Sequence, residues 1–194
     1  SHVAASLPGG RVLVAGGWSG REVSGSAEIF EPAAGRFVPV GGMAQPRAAA
    51  RAVHLADGRV LVVGGQAAAF EVLASAEIFD PATSRFIGTR PMTTPRVGHA
   101  ATVLADGRVL VTGGNASRRG EVMRSAELYD PRTGRFEPTG DMLFPRRKHA
   151  SVLLADGRVL VIGGSDGRDQ QGRYRSTEWY DPATGRFTPG PDMH

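Results

Sequence analysis

ADGRVLVVGG, at residues 56–65, is a ten-residue segment that this chain repeats almost unchanged. ADGRVLVTGG stands at residues 105–114 and ADGRVLVIGG at 155–164, and a looser copy, PGGRVLVAGG, stands at 8–17. An Asp-Gly pair between apolar residues predicts a two-residue type I′ hairpin turn, because both central positions of that turn need a positive φ. The segment therefore predicts two antiparallel strands, the second of which ends at a pair of glycines.

The remaining sequence repeats in the same register. Each glycine pair is followed by SAEIFEP, SAEIFDP, SAELYDP or STEWYDP, then by Arg-Phe and a methionine, and in three copies by Pro-Arg. Successive glycine pairs lie 48, 49 and 50 residues apart, and the added residues fall between the glycine pair and the next serine. We expect one domain over 1–194 with units at about 1–46, 47–95, 96–145 and 146–194.

Each unit reads as four short strands. In the third unit we expect strands at 99–104, 108–112, 125–129 and 135–139, with DPRTG forming the last turn. A four-stranded sheet cannot bury both faces alone, so the units must stack, and a period near fifty is typical of propeller blades. The sequence predicts an all-β propeller of four-stranded antiparallel blades. The four blades form either an open arc or a fragment of a larger ring.

Composition excludes several classes of site. The chain has no cysteine, so disulfides, thiolate metal ligands and a cysteine nucleophile are excluded. No apolar run is long enough for a membrane span, and the net charge of +4 is small for a nucleic-acid-binding protein. The compartment stays open, since a secreted or cell-surface location needs a signal peptide beyond these residues.

The combined motifs resemble kelch repeats of a bacterial type. The matching features are the glycine pair after VLV, the SAExYDP strand, the aromatic of the fourth strand and the M…PR…HA junction. Phe37 and its equivalents stand where the kelch pattern usually has tryptophan. The resemblance implies a propeller in which one mouth of the central channel is lined by two kinds of segment. These are the loops between the second and third strands and the junctions leading into each first strand.

Residues that recur in every unit are expected to be structural, because binding rarely needs the same residue in each repeat. Each third-strand glutamate is expected to pair with a junction arginine, since a buried charge needs a partner. The alternative is a functional ring of carboxylates with a matching ring of arginines. The structural set is Gly16, Gly17, Gly64, Gly65, Gly113, Gly114, Gly163, Gly164, Glu28, Glu77, Glu127 and Glu178.

The sequence predicts no cofactor, metal or catalytic residue. His2, His99 and His149 recur at one position but lack metal-ligand spacing, so we expect hydrogen-bonding strand residues. No paired carboxylates, nucleophile–base set or phosphate loop stand outside the repeated positions. The sequence favours a non-catalytic module. The alternative is the propeller part of a carbohydrate-active enzyme whose catalytic residues lie outside this chain.

The segments between the glycine pair and the serine differ in every unit, and function on a rigid scaffold usually lies in such loops. We expect them to bind a protein or glycan partner, with arginines pairing to carboxylates, whereas nucleic acid is disfavoured. Two copies forming an eight-bladed ring are the oligomeric alternative. The binding candidates are Trp18, Arg21, Phe70, Arg118, Arg119, Arg173 and Tyr174 in loops, and Arg47, Arg96, Arg146, Arg147 and Lys148 in junctions.

Overall fold

The computed structural model describes residues 1–117, 120–166 and 174–194. Within these ranges the chain forms sixteen strands in four antiparallel four-stranded sheets. The only helical elements in the described part of the chain are single 3₁₀ turns at Pro8–Gly10 and Ala68–Phe70. The predicted all-β architecture is confirmed.

Each sheet, or blade, contains four consecutive strands in chain order. Blade 1 comprises β1 (Val3–Ser6), β2 (Val12–Ala15), β3 (Ala27–Glu31) and β4 (Arg36–Val40). Blade 2 comprises β5 (Arg51–His54), β6 (Val60–Val63), β7 (Ala76–Asp80) and β8 (Arg85–Gly88). Blade 3 comprises β9 (Ala100–Val103), β10 (Val109–Thr112), β11 (Ala126–Asp130) and β12 (Arg135–Pro138). Blade 4 comprises β13 (Ala150–Leu153), β14 (Val159–Ile162), β15 (Thr177–Asp181) and β16 (Arg186–Pro189).

The Asp-Gly turns differ in detail from the expectation. Gly58 has a φ of +84° but Asp57 is not in the left-handed region, and the amide of Gly58 donates to the carbonyl of Leu55. This is a three-residue connection, in which a type I turn is followed by a left-handed glycine. The prediction of a type I′ turn was wrong, because the carboxylate of Asp57 accepts hydrogen bonds from the amide and Nε of Arg59 and so favours a different turn.

The core lies between neighbouring blades. The second strands of blades 2 and 3, β6 and β10, are buried along their whole length because a blade covers each face. Their alternate residues therefore face different neighbours. The three clusters between blades contain Leu13, Ile29, Val60 and Phe79; Leu61, Ile78, Val109 and Tyr129; and Leu110, Ala126, Val159 and Tyr180.

The outer blades each keep one face uncovered. In β2, Leu13 is buried but Val12 and Val14 are only half-buried, and β14 alternates in the same way. The side chain of Phe37 on blade 1 is 53% exposed, whereas its equivalent on blade 3, Phe136, is 7% exposed. First strands contact each other in the order β1, β5, β9 and β13. The four blades thus form an arc with an uncovered sheet face at each end.

Candidate functional site

The variable loops and the junctions meet at one edge of the blades. In blade 3, Asn115 follows the glycine pair and forms bridges with Val97 in the junction and Val122 on the returning loop. In blade 2, Gln66 forms the same two bridges, with Ala48 and Val72. We call this edge the mouth surface. On this surface, the loop residues that differ from unit to unit contact the backbone of the junctions.

The junction arginines Arg47, Arg96 and Arg146 do not lie on the mouth surface but are buried between blades. The guanidinium of Arg96 donates to Oε1 of Glu127 at 2.9 Å and to the carbonyls of Gly113 and Ser125, both at 2.9 Å. Burial lowers the pKa of Arg96, and Glu127 opposes that shift. These three arginines were expected to contact a partner as well. Their side chains have no exposed surface with which to do so.

The glutamates complete this network. Glu178 accepts hydrogen bonds from Nε of Arg146 at 2.9 Å and from the amides of Leu143 and Phe144 at 2.6 and 3.2 Å. One carboxylate therefore holds a whole Met-x-x-Pro-Arg junction against the next blade. The expected pairing of glutamate with arginine is confirmed in the described structure for Arg47–Glu77, Arg96–Glu127 and Arg146–Glu178. It is wrong for Glu28, which is exposed on the uncovered face of blade 1 and forms no ion pair with a described residue.

The glycine pairs let the junction approach the second strand. Gly113 has a φ of +59°, and a β-carbon on it would overlap the carbonyl oxygen of Arg146. Gly114 has a φ of +88°, and a β-carbon there would lie 2.7 Å from the carbonyl oxygen of Val97. Both the backbone conformation and the available space therefore require glycine at these positions.

Two of the recurring histidines are buried beside this network. Nε2 of His149 lies 2.7 Å from Oγ1 of Thr112, as expected for a hydrogen-bonding residue, and burial lowers the pKa of His149 to about 4. His99 packs against Gly64, and burial lowers its pKa to about 3, an effect that the backbone of Val63 opposes. Its ring nitrogens form no hydrogen bond of good geometry with a described residue, so His99 serves mainly as a neutral packing group. Among described residues, no cluster of three His, Asp or Glu side chains has the arrangement of a metal site.

Three cations surround the backbone of Gly98 and His99. Nε of Arg51 donates to the carbonyl of His99 at 2.8 Å. A β-carbon placed on Gly98 would lie 3.7 Å from Cβ of Arg147 and 3.9 Å from Cγ of Lys148. We call these three cations the basic cluster. Its side chains come from the starts of blades 2 and 4, and they lie next to the residues that lead into blade 3.

Among the described residues, the basic cluster forms no ion pair. Within the described ranges, no carboxylate oxygen lies within 4 Å of a charged nitrogen of Arg51, Arg147 or Lys148. The Nε of Arg147 is buried without a hydrogen-bond partner. Lys148 has a φ of +55°, at the position where blade 3 has Gly98 with a φ of +70°. Ala49 has a φ of +53° at the same position in blade 2, so the left-handed backbone belongs to the junction repeat, whereas the cations at this position are specific to the last junction.

The junction that carries Arg147 and Lys148 also carries an exposed apolar pair. Leu143 and Phe144 are 39% and 45% exposed although their amides are fixed by Glu178. The ring of Phe144 lies 5.7 Å from that of Tyr174, whose ring in turn lies 4.8 Å from the guanidinium carbon of Arg146. The first two junctions have Ala-Gln and Thr-Thr at the positions of this pair. The apolar pair is thus specific to the last junction.

The loop candidates lie at several places on the mouth surface. Trp18 and Arg21 are exposed on the loop of blade 1, and Phe70 is exposed on the loop of blade 2 with a φ of +62°. Tyr174 is half-buried against Phe144, and the predicted binding residues Arg118, Arg119 and Arg173 lie outside the described residues. Leu143, Phe144 and Arg51 were not predicted, because the junction candidates were the basic residues at and directly after each Pro-Arg pair. A comparison of the junctions, unit by unit, shows all three as departures from the repeat.

Comparison with known proteins agrees with the repeats. A protein-family model described as Kelch motif matches the chain at residues 95–143 and again at 146–194. The two matches cover just over half of the sequence and fall on the third and fourth units. No curated protein matches the chain. Across the described ranges, no helix has the length and apolar character needed to cross a membrane.

Proposed function

The chain belongs to the kelch-repeat family, and from that premise we propose that it is a non-catalytic module that binds an acidic protein segment at its mouth surface. Kelch repeats generally serve as protein-interaction modules. The observation that carries the proposal is the basic cluster, Arg51, Arg147 and Lys148, which has no carboxylate within 4 Å in the described structure. Carboxylates from a partner would supply the missing counter-charges.

The guanidinium groups favour carboxylate as the partner chemistry. Arginine presents a planar set of N–H donors that matches the two oxygens of a carboxylate, and such charge-assisted pairs are stronger than neutral hydrogen bonds. Among the described residues, the hydrogen bond of Arg51 to the carbonyl of His99 uses Nε, so its two terminal nitrogens can pair with a partner carboxylate. The adjacent ammonium of Lys148 adds a charge that long, flexible acidic side chains can reach.

The apolar pair favours a peptide over a carboxylated glycan. Leu143 and Phe144 present exposed hydrophobic side chains from a backbone that Glu178 holds in place. Apolar anchors that are already ordered lose little conformational entropy on binding, so they contribute efficiently to affinity. A partner segment that combines acidic and bulky apolar residues fits both features of this surface.

The proposal is tested with a short fluorescein-labelled peptide rich in glutamate and leucine, followed by fluorescence anisotropy. We expect binding that weakens with salt, as for a surface charge interaction, and that falls at least about tenfold in the double variant Arg147→Ala, Lys148→Ala. The matched control is the double variant Arg85→Ala, Arg186→Ala, which removes two exposed arginines from fourth strands away from the mouth surface.

The same peptide with lysine in place of glutamate is expected not to bind. Equal affinity for both peptides, or equal losses in the two double variants, would contradict the proposal. Substitution of Phe144 by Ser tests the contribution of the apolar pair separately. We expect it to weaken the binding of the leucine-containing peptide more than the binding of a polyglutamate peptide.

A further inference from the structure

Three hairpin turns of the chain share the sequence Leu-Ala-Asp-Gly-Arg-Val-Leu-Val, at residues 55–62, 104–111 and 154–161. An Asp-Gly bond is especially open to isomerisation, because glycine has no side chain to hinder attack by its own amide nitrogen on the aspartate carboxyl carbon. Each of these turns therefore carries a chemically labile bond, and any difference in its reactivity from turn to turn must come from the fold.

The isomerisation of an Asp-Gly bond proceeds in two steps. The glycine nitrogen bonds to Cγ of the protonated aspartate carboxyl, and the amide proton leaves with the carboxyl hydroxyl as water, which closes a succinimide ring. Water then adds to either ring carbonyl and opens the ring, giving aspartate again or isoaspartate. The water lost in the first step is regained in the second, so the reaction needs no other reactant.

In the turn of blade 3, both reacting groups are held by other contacts. The amide of Gly107 donates to the carbonyl of Leu104 at 3.0 Å. Oδ1 of Asp106 accepts a hydrogen bond from the amide of Arg108 at 3.0 Å, and Oδ2 accepts from Nε and Nη2 of the same arginine at 2.8 and 2.7 Å. The carboxyl carbon can reach the nitrogen of Gly107 only after these contacts with Arg108 break.

The turns at Asp57 and Asp156 repeat this arrangement. Nε of Arg59 and Nε of Arg158 lie 2.8 and 2.9 Å from the carboxylates, and in each turn the glycine amide donates to the leucine carbonyl at 3.0 Å. The hydrogen bonds from these arginines lower the pKa of Asp57 and the pKa of Asp156. An ionised carboxylate resists attack because it has no hydroxyl that can leave as water. Blade 1 has Gly9 at the position of the aspartate, so its turn cannot undergo the reaction.

Isoaspartate in one of these turns would disrupt its hairpin. The isomer places one additional carbon in the main chain between residues 104 and 108, where the amide of Leu104 donates to the carbonyl of Arg108 at 2.8 Å. That hydrogen bond sets the register of β9 against β10, and β10 is buried along its whole length. A longer main chain in the turn therefore shifts residues that the core of blade 3 needs in place.

We propose that Asp57, Asp106 and Asp156 are latent isoaspartate sites, and that the arginine of each Asp-Gly-Arg turn protects its site by holding the carboxylate away from the glycine nitrogen. The planar guanidinium suits this role because its parallel N–H donors fix both the position and the orientation of a carboxylate. The turns lie at the opposite ends of the second strands from the mouth surface, so this inference is independent of peptide binding.

The proposal is tested by incubating the folded wild type and Arg108→Ala for several weeks in mildly acidic buffer, and by measuring isoaspartate in their proteolytic peptides against synthetic standards. In Arg108→Ala we expect isoaspartate to form at Asp106 about fivefold faster, the factor that corresponds to loss of an exposed ion pair. The rates at Asp57 and Asp156 are expected to stay unchanged. Arg135→Ala, which removes an exposed arginine of the same blade, is the control and should change none of the rates.

The same measurement in concentrated urea supplies the reference for the unfolded chain. There we expect wild-type sites to react at equal rates, all faster than in the folded protein, and Arg108→Ala to have no effect. The proposal is overturned if the folded variant and the folded wild type form isoaspartate at Asp106 at the same rate. Equal acceleration at all three aspartates, or acceleration by the substitution in urea as well, would also overturn it, because the arginine would then not act on its own turn through the fold.

Discussion

Arg146 and Arg147 are neighbours in the sequence but belong to different regions of the molecule. Arg146 is buried between blades 3 and 4, where it donates to Glu178 and to the carbonyls of Gly163 and Ser176. Arg147 lies on the mouth surface, where its side chain meets no carboxylate of the described structure. Arginine recurs at the first position in each junction, whereas Arg147 replaces an alanine and a valine. Repetition marks structure here, and we propose that departure from the repeat marks the surface that a partner binds.

The largest expected effect is the loss of stability when a buried junction arginine is removed. Arg96→Ala leaves the carboxylate of Glu127 buried without its cation, so we expect the free energy of unfolding to fall by about 3–5 kcal/mol. Urea unfolding followed by circular dichroism measures it. Arg135→Ala, which removes an exposed arginine from β12, is the control and should change stability by no more than about 0.5 kcal/mol. Equal losses of stability in the two variants would contradict the distinction between buried, paired arginines and exposed ones.

The next effect is a dependence of stability on pH that originates in His99. Burial lowers the pKa of His99 to about 3 from its ordinary value of 6.5, so between these values the unfolded chain binds a proton that the folded chain does not. The contribution of neutral His99 to the free energy of unfolding is complete above about pH 6.5. It is lost as the pH falls toward 3, at up to about 1.4 kcal/mol per pH unit.

Urea unfolding at pH 7.5 and pH 5 checks this prediction, with His99→Ala as the comparison because Ala50 occupies the same position in blade 2. The variant is expected to be less stable at pH 7.5 but to lose about 2 kcal/mol less than the wild type on acidification. An identical loss in both proteins would show that His99 is not held neutral in the fold.

The smallest effect concerns an exposed ion pair, in which arginine pairs with aspartate. Asp106 and Arg108 meet at 2.7 Å in the hairpin turn of blade 3, with both side chains substantially exposed to solvent. Arg108 lowers the pKa of Asp106, although partial burial of the carboxyl acts in the opposite direction. We expect Asp106→Asn to cost at most about 1 kcal/mol, since water screens an exposed pair. A loss as large as that of Arg96→Ala would show that burial does not separate the two kinds of pair.

Much of the fold could be predicted because each unit carries the same local signals. Strand positions followed from apolar runs such as residues 109–112 between turn residues, and the pairing of Glu127 with Arg96 followed from the cost of a buried lone charge. The turn type at Asp57 was missed because a side-chain hydrogen bond to Arg59 competes with the backbone preference.

The candidate site was less predictable because it depends on tertiary neighbours. Arg51 reaches the carbonyl of His99 across a blade boundary, and no local pattern in the sequence links Arg51 to Arg147. Burial of Arg146 could have been inferred from its recurrence with Glu178, since both members of the pair repeat in register. The exposure of Leu143 and Phe144 could not be inferred, because apolar residues between the repeated Met and Pro also suit a core position.

The most direct test measures stability and peptide binding together for Arg146→Ala and Arg147→Ala. The account predicts that Arg146→Ala lowers the free energy of unfolding by about 3–5 kcal/mol, whereas Arg147→Ala changes it by less than about 1 kcal/mol. It also predicts that Arg147→Ala weakens the glutamate- and leucine-rich peptide about tenfold at a temperature where the variant is fully folded. If Arg147→Ala instead destabilises the fold as Arg146→Ala does and leaves peptide affinity unchanged, the division between repeated structural cations and unit-specific binding cations is wrong.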